Sequence, residues 1–202
     1  MEDLSVYLEP TYFIDSDSEY IKNLAQKITQ NVKNKKKKAI KIFYWTRDTI
    51  YYDPYESFAS RKSWYKASNT ANRGKGWCVQ KAVVLTALGR ALGIPSRLHF
   101  ADIRNYKISE RQKNIMHTDV FIYHGFTELF MDGKWVKLTP AFNKELCIKF
   151  NLPIVEFDGT NDAILSAYAL NGEKYIEYLA DRGPEIDLPF KRIFKAFFEY
   201  YV

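Results

Sequence analysis

The amino-acid sequence predicts a single α+β domain in which N-terminal helices precede an antiparallel sheet. The apolar residues of 78–92 cover most of a helical circumference, which predicts a buried helix. Two strands are predicted after it, at 119–131 and 134–138. Between them stands Asp132-Gly133, a strong signal for a two-residue hairpin turn. Helices that come early and paired strands that come later are typical of α+β proteins.

The length and composition fit one folded domain. A chain of 202 residues lies within the usual domain size, and its hydrophobic content of 47% argues against disorder. We divide it into a core with its N-terminal helices, residues 1–142, and a C-terminal extension, residues 143–202, that packs on the same domain. The net charge of +6 is too modest to define a partner by itself.

The remaining elements follow from local signals. Ser16 and Glu19 have the spacing of a capping box at the start of a first helix. The lysine-rich run 33–38 is placed at the end of that helix, where the helix dipole favours cations. A second apolar segment follows at 39–52, and the stretch after Pro189 has the spacing of an amphipathic helix.

The sequence also predicts the segments before and after the buried helix. Residues 55–76 show no periodicity and are predicted to be irregular. Gly93 and Pro95 mark the end of the buried helix. Residues 97–103 alternate loosely, which indicates a first strand, and 144–150 is predicted to be a short helix.

The cysteine count and the N-terminal sequence indicate a reducing compartment. Two cysteines, Cys78 and Cys147, are too few for a disulfide framework in a chain of this size. The N-terminus is acidic and lacks the apolar stretch of a secretory signal, and no apolar run is long enough to span a membrane. We therefore expect a cytoplasmic protein with no membrane partner. In that setting a cysteine accompanied by histidines is a candidate nucleophile.

Cys78 is the stronger candidate because it opens the buried helix. The N-terminus of a helix lowers the pKa of a cysteine, and the preceding Gly74 and Gly76 allow the backbone to approach a substrate closely. The alternative interpretation is a buried structural cysteine, which is the commoner situation for a free thiol. Cys147 lacks a glycine-rich approach and is predicted to be structural.

The predicted hairpin brings a histidine and a hydroxyl to one face of the sheet. A two-residue turn pairs Met131 with Lys134. Phe126 then stands opposite Thr139, and His124 projects from the same side as both. Thr139 becomes a diagonal neighbour of His124, at the limit of side-chain reach. A histidine held in this way could act as a base for the thiol.

The other histidines and the basic run have simpler explanations. His99 lies in a predicted strand and is expected to be a packed histidine, and His117 precedes a strand in a predicted loop. The histidines and cysteines show no metal-ligand spacing, so neither a metal nor another cofactor is expected. The lysines of 35–38 are not interleaved with aromatic residues, so they indicate a solvated helix end and no nucleic-acid partner.

Several of these segments resemble the transglutaminase-like superfamily, over about residues 55–142. The matching runs are Gly76-Trp77-Cys78, Arg90-Ala91-Leu92-Gly93-Ile94-Pro95-Ser96-Arg97, His124-Gly125-Phe126-Thr127-Glu128-Leu129-Phe130 and Gly133-Lys134-Trp135-Val136-Lys137-Leu138-Thr139-Pro140. The resemblance implies a papain-like transglutaminase-core fold, in which a nucleophile helix packs on an antiparallel β-sheet. It also implies a Cys-His-Asp triad that transfers an acyl group from an amide through a thioester.

The third member of the triad departs from the family pattern. Thr139 stands where the resemblance implies an aspartate. A threonine hydroxyl can accept the imidazole N–H but offers no negative charge, so His124 should be a weaker base. Asn143 is a second candidate for the orienting or oxyanion role, and Asp158 is a third. Trp77 is expected beside the nucleophile, at one wall of the cleft or near the oxyanion position.

These residues predict a cysteine acyltransferase, peptidase or amidase that acts on a protein or peptide substrate. Its catalytic residues would be Cys78, His124 and Thr139. The alternative is a protein that keeps the transglutaminase fold as a binding or scaffold module without activity, because the aspartate is replaced.

Overall fold

A computed structural model describes residues 3–58 and 61–201 of the chain, so Ala59 and Ser60 of the predicted irregular segment lie outside the described residues. Within the described part, the α-helices are α1 (Glu19–Ile28), α2 (Lys35–Thr49), α3 (Ala67–Arg73), α4 (Cys78–Ala91), α5 (Glu110–Met116), α6 (Lys144–Lys149) and α7 (Phe190–Tyr201). The strands are β1 (Tyr51–Tyr52), β2 (Lys75–Gly76), β3 (Ser96–Asn105), β4 (Val120–Met131), β5 (Lys134–Leu138) and β6 (Ile176–Glu185). Short 3₁₀ turns occur at Ser5–Tyr7, Pro54–Phe58 and Lys62–Tyr65.

The central sheet is antiparallel, with the strand order β5-β4-β3-β6. The predicted hairpin is confirmed, because Met131 pairs with Lys134. Both turn residues, Asp132 and Gly133, have a positive φ, as a type I′ turn requires. Strand β6 was not predicted. It comes from the C-terminal extension and pairs with β3, so the extension contributes an edge strand to the sheet.

The α4 helix is the core element that holds the sheet and the N-terminal helices together. Every residue from Cys78 to Arg90 is buried, which confirms the predicted buried helix. It packs on β3 and β4 on one side and on α1, α2 and α3 on the other. The Thr127 hydroxyl of β4 donates to the Ala82 carbonyl at 2.9 Å, which fixes the helix on the strand. The helix ends before Gly93, which has a φ of 70°.

The prediction for the first two helices was wrong in detail. The Ser18 side chain, rather than that of Ser16, caps α1, which ends at Ile28. The lysine run begins α2 instead of ending α1, because the side chain of Asn34 accepts the Lys37 N–H at 2.9 Å and starts a new helix there. A local cap therefore outweighs the unfavourable placement of lysines near a helix N-terminus.

The predicted irregular segment contains a short helix. Ala67, Thr70 and Ala71 are buried, and the helix α3 that carries them ends at Gly74, which has a φ of 66°. The buried face of this helix is made of small residues, so the sequence shows no obvious apolar period. The following residues form β2, which pairs in parallel with β1 just before α4 begins.

The predicted C-terminal helix is confirmed as α7. Phe190 stacks against Phe13 and contacts Tyr65, and Phe194 also contacts Tyr65. Farther along the helix Phe197 contacts Trp77. The helix therefore lies across the region where α4 begins. None of the described helices is long and apolar enough to cross a membrane.

Candidate active site

Cys78 is the first residue of α4, and its side chain is almost completely buried, with 6% exposed. The backbone amides of Gly125 and Val79 point toward its sulfur. Burial nevertheless raises the pKa of the Cys78 thiol to about 11, because the loss of solvation outweighs the effect of these amides. The expected lowering of the thiol pKa by the helix N-terminus is therefore not found in this closed arrangement.

A glycine allows the strand and the start of the helix to come this close. A Cβ on Gly125 would lie 3.0 Å from the Cα and the Cγ2 of Val79, too close for any larger residue without movement of the backbone. A Cβ on Gly76 would likewise lie 3.0 Å from the Cβ of Gln80. The Gln80 side chain uses this space to accept the N–H of Trp77 at 3.2 Å. Two glycines thus fix the position of Cys78 against β4.

The Gly125 amide approaches the Cys78 sulfur, and His124 is the residue immediately before Gly125 in β4. The imidazole is therefore attached to the backbone one residue from this contact. The ring of His124 lies 6.2 Å from the ring of Phe126 and 6.5 Å from that of Tyr178. The Nε2 atom is buried and has no hydrogen-bond partner among the described residues. Burial lowers the pKa of His124 to about 4, so the imidazole is neutral at physiological pH.

Thr139 follows Leu138, the last residue of β5, whose partner Thr127 is the last β4 residue in the β4–β5 pairing. Its backbone N–H donates to the Ala163 carbonyl at 2.8 Å. The hydroxyl is buried and makes no well-formed hydrogen bond within residues 3–58 and 61–201. The predicted hydrogen bond from Thr139 to the imidazole is consequently absent from this arrangement.

Tyr178 of β6 is the residue that connects His124 with Thr139. Burial raises the pKa of Tyr178 to about 12, and the nearby Leu165 amide and Thr139 hydroxyl oppose that rise. Its ring meets the His124 ring at an angle of 71°. The sequence carried no signal for this residue, because β6 itself was not predicted.

Asn143 uses its polar atoms away from the imidazole. Its Oδ1 accepts the N–H of Tyr52 at 2.7 Å. Its Nδ2 donates to the carbonyls of Arg47 at 2.7 Å and Ile50 at 2.9 Å, at the end of α2. These bonds tie α2 to β1 and give Asn143 no contact with His124 among the described residues. The orienting role expected for Asn143 has no hydrogen bond to support it.

Lys81, one turn after Cys78 on α4, shares these carbonyls with Asn143. Its Nζ donates to the Arg47 carbonyl at 2.8 Å and to the Ile50 carbonyl at 2.6 Å. The side chain is fully buried, and burial lowers the pKa of Lys81 to about 7. A lysine inside a mostly apolar helix is a visible signal in the sequence for a buried charge with specific partners.

Trp77 lies beside the nucleophile, as expected, and is buried together with it. Its indole ring lies 5.5 Å from the ring of Phe197. Its indole nitrogen is buried without a hydrogen-bond partner in the part of the chain that the structure describes. The Tyr201 side chain from the same helix lies close enough to Cys78 to interact with it electrostatically. α7 therefore covers the start of α4, and the site is closed to solvent.

The other histidines and cysteine are engaged elsewhere. His99 stacks on Phe126, and its Nε2 pairs with Asp181 at 2.6 Å while its Nδ1 lies 3.0 Å from Glu128. His117 ends α5 with a positive φ. Cys147 is buried in α6, in agreement with a structural role.

Asp158, the third candidate for the orienting role, belongs to a surface loop. Its carboxylate accepts the N–H groups of Thr160 and Asn161, which lower the pKa of Asp158 to about 2. No three His, Cys, Asp or Glu residues of the described chain are grouped as metal ligands. The Cys78 sulfur thus faces the backbone amides of Gly125 and Val79, and His124 is the residue that precedes Gly125 in β4.

A family model and two solved structures are similar to this chain. A family model described as the transglutaminase-like superfamily matches residues 22–140, more than half of the chain. The crystal structure of a candidate cysteine protease from Cytophaga hutchinsonii is similar with a TM-score of 0.58 at 21% identity, over 93% of this chain and 48% of that chain. A candidate protease from Parabacteroides distasonis has a TM-score of 0.42 at 18% identity, over 63% of this chain and 26% of that chain.

The Cytophaga structure supports the fold, and the predicted papain-like transglutaminase-core fold is confirmed. The present chain spans about half the length of that protein. No curated protein matches the sequence significantly.

Proposed function

Because the chain belongs to the transglutaminase-like superfamily, we propose that it is a cysteine enzyme that transfers or hydrolyses the acyl group of a carboxamide or peptide bond. Cys78 is the nucleophile and His124 is its base. The observation that carries the proposal is the approach of the Gly125 amide to the Cys78 sulfur, because it brings the thiol next to the residue that follows His124. Protein or peptide amides are the substrates, since the family resemblance implies acyl transfer from an amide.

The proposed reaction has two steps. The thiol proton passes to the imidazole of His124 as the Cys78 sulfur bonds to the amide carbonyl carbon. Backbone amides near the start of α4 stabilise the oxyanion of the tetrahedral intermediate. The C–N bond then breaks, and the leaving amine takes the proton from the imidazole, which leaves a thioester on Cys78. Water or a primary amine attacks this thioester, gives its proton to His124 and frees the thiol.

The imidazole of His124 has no carboxylate partner among the described residues, and this lowers the catalytic rate that we expect. His124 is neutral at rest, so it can accept the thiol proton, but an imidazolium at this position lacks a negative partner among the described residues. An aspartate at this position in other cysteine and serine enzymes stabilises the charged imidazolium. We therefore propose slower turnover than a complete triad would give. A reducing, cytoplasmic setting belongs to the same proposal, because an oxidised thiol could not react.

The test separates the nucleophile from the second cysteine. Wild-type protein is incubated with casein, with or without a fluorescent primary amine, and amine incorporation, ammonia release and peptide cleavage are measured. Cys78→Ala is expected to abolish all product, and His124→Gln is expected to lower the rate by about 10²-fold or more. The control Cys147→Ala should keep the wild-type rate. Equal activity in wild type and Cys78→Ala would refute the proposal.

A catalytically inactive scaffold is the second candidate, and three features favour it. The Cys78 thiol is closed from solvent, its pKa is raised to about 11, and the His124 Nε2 atom has no orienting partner in the described chain. Iodoacetamide distinguishes the two at neutral pH. An enzyme should show His124-dependent alkylation of Cys78, whereas a scaffold should give the same slow rate in wild type and His124→Gln.

A further inference from the structure

Strand β4 contains a bulge immediately before His124. Ala101 of β3 pairs with His124, whereas Ile103 pairs with Phe121. One residue of β3, Asp102, therefore stands opposite two residues of β4. The second of these, Tyr123, has a φ of 54°, which is rare for a residue with a large side chain.

The bulge decides which face of the sheet carries the imidazole. Side chains alternate along a strand, so one extra residue exchanges the two faces for everything that follows. In a ladder without the bulge, Tyr123 would stand opposite Ala101. With the bulge, His124 takes that place and lies on the same face as Phe126. The orientation of His124 thus depends on a local irregularity that must be held in place.

Asp102 binds the bulge from β3. Its Oδ1 accepts the N–H of Tyr123 at 3.0 Å. Arg182 holds the same carboxylate through two hydrogen bonds, of 2.6 and 2.8 Å. The guanidinium of Arg182 also lies 4.1 Å from the centre of the Tyr123 ring. A carboxylate fixed in this way both satisfies the amide of the bulged residue and limits its side-chain freedom.

Tyr201 binds the bulge from the other side of β4. Its hydroxyl accepts the N–H of Ile122 at 2.9 Å and donates to the carbonyl of Val120 at 3.1 Å. These are backbone groups of a strand segment that pairs with no described strand on this side, because β5 pairs only with residues 127–131. The hydroxyl therefore makes the hydrogen bonds that a neighbouring strand would otherwise make to Val120 and Ile122, and Ile122 lies two residues before His124.

We propose that Asp102 and Tyr201 are positioning residues for His124, which act through the backbone of the bulge without touching the reacting atoms. This inference rests on the proposed role of His124 as the base. Asp102 supplies the acceptor that stabilises the bulged residue, and Tyr201 fixes the strand before it. Loss of either contact lets the strand relax, and the imidazole then departs from the orientation in which it can take the thiol proton.

The test uses the pH profile of Cys78 alkylation by iodoacetamide, followed at the Cys78 peptide by mass spectrometry. A general base makes the rate level off above the pKa of His124, whereas an unassisted thiol reacts faster with each unit of pH up to its own pKa. The readout is the ratio of the rate at about pH 7 to the rate at about pH 10. A change in access to Cys78 alters both rates alike and leaves this ratio unchanged.

Asp102→Ala and Tyr201→Phe are expected to lower this ratio about tenfold or more, since small displacements of a positioned base have large effects. Asp102→Asn keeps an oxygen that can accept the Tyr123 N–H, so it should retain most of the wild-type ratio. The controls are Asp119→Asn, an aspartate of the neighbouring surface ion pair with Arg104, and Tyr200→Phe, whose side chain is half exposed. Both should keep the wild-type ratio.

A purely structural role would lower the melting temperature of the variants and leave the ratio as in wild type, which would overturn the inference. Asp102→Asn and Tyr201→Phe preserve the test if Asp102→Ala does not fold. His124→Gln separates the two hypotheses. If it leaves the wild-type ratio unchanged, the proposed base is wrong. If it lowers the ratio while the Asp102 and Tyr201 variants do not, only their positioning role is wrong.

Discussion

The ring of Phe197, in the C-terminal helix α7, lies 5.5 Å from the indole ring of Trp77, the residue immediately before Cys78. This contact explains why a cysteine at the start of a helix is nearly inaccessible. Phe190 and Phe194 anchor the first half of the same helix on Tyr65. A reagent can reach the thiol only after the contact between Phe197 and Trp77 has opened, so the stability of this contact limits the reactivity of Cys78.

Phe197→Ala should therefore expose the thiol. The substitution removes about 2 kcal/mol of packing from a partly buried aromatic side chain, which corresponds to an increase of about tenfold or more in the alkylation rate of Cys78. Phe198→Ala is the matched control, since Phe198 is adjacent in the helix and 70% exposed. The measurement is the rate of iodoacetamide labelling at the Cys78 peptide, compared between the two variants. Equal rates in the two variants would mean that α7 does not limit access.

His124 and His99 should affect the acid stability of the protein in opposite directions. Burial lowers the pKa of His124 to about 4, so its contribution is complete above the unfolded value near 6.5 and is lost as the pH falls toward 4. Although burial opposes it, the pairing of His99 with Glu128 and Asp181 raises the pKa of His99. The contribution of His99 is therefore complete below about 6.5 and is lost as the pH rises through its folded value.

Urea unfolding from about pH 4 to about pH 8 measures both effects. His124→Gln should flatten the acid limb, by at most about 3 kcal/mol between the two ends. His99→Gln should make the acid limb steeper, because it removes a stabilising charge that is present only at low pH. Parallel curves for the wild type and His124→Gln would show that the imidazole is solvated or paired in the folded protein.

Thr139→Asp should restore a charged partner for the imidazole. The hydroxyl of Thr139 and the Nε2 atom of His124 are both buried without a hydrogen-bond partner in the described residues, so a longer acceptor at position 139 has an unpaired ring nitrogen to meet. A carboxylate near an imidazole raises its pKa. We expect Thr139→Asp to raise the pKa of His124 relative to wild type and to keep or increase the activity on casein.

Thr139→Asn is the control for Thr139→Asp, because it has the same shape without the charge. NMR titration of the His124 ring measures the pKa in each variant. If Thr139→Asp leaves the pKa of His124 as in Thr139→Asn, position 139 does not face the imidazole. A loss of activity as large as that from Cys78→Ala would also contradict a role of this position as the third member of the triad.

Local patterns predicted the parts of the fold that local interactions determine. The buried helix α4 follows from its apolar residues, and the β4–β5 hairpin follows from Asp132-Gly133, which gave the pairing of Met131 with Lys134. The resemblance of the segments around Cys78 and His124 to one family predicted the nucleophile helix on its sheet. The local sequence is sufficient to predict these elements because the contacts that stabilise them lie close together in the chain.

The missing parts depend on contacts between distant segments. Strand β6 is an edge strand, mostly exposed and rich in charged residues, and it includes Gly183 and Pro184, so no alternation marks it. Gly125 lies inside the predicted strand 119–131, and only the folded chain shows that it permits the close approach of β4 to Val79. The raised pKa of Cys78 could not be predicted either, since it results from the burial of the thiol in the folded chain, where α7 covers the start of α4.

Lys81 and Asn143 should be energetically coupled because they bind the same two carbonyls. The carbonyls of Arg47 and Ile50 lie at the end of α2, where backbone acceptors have no partner within the helix. Each carbonyl receives one hydrogen bond from Lys81 and one from Asn143. Removal of one donor leaves both carbonyls satisfied, whereas removal of both donors leaves them buried without a partner.

The substitutions Lys81→Met and Asn143→Ala, alone and combined, test this arrangement by their free energies of unfolding in urea. Each single change should cost about 1–3 kcal/mol, and the double change should exceed their sum by about 1 kcal/mol or more, since a buried acceptor without a partner is costly. Lys81→Met combined with Asn69→Ala is the additive control, because Asn69 bonds to the Ser63 carbonyl at the surface. An additive result for the first pair would mean that water, rather than the partner side chain, satisfies these carbonyls.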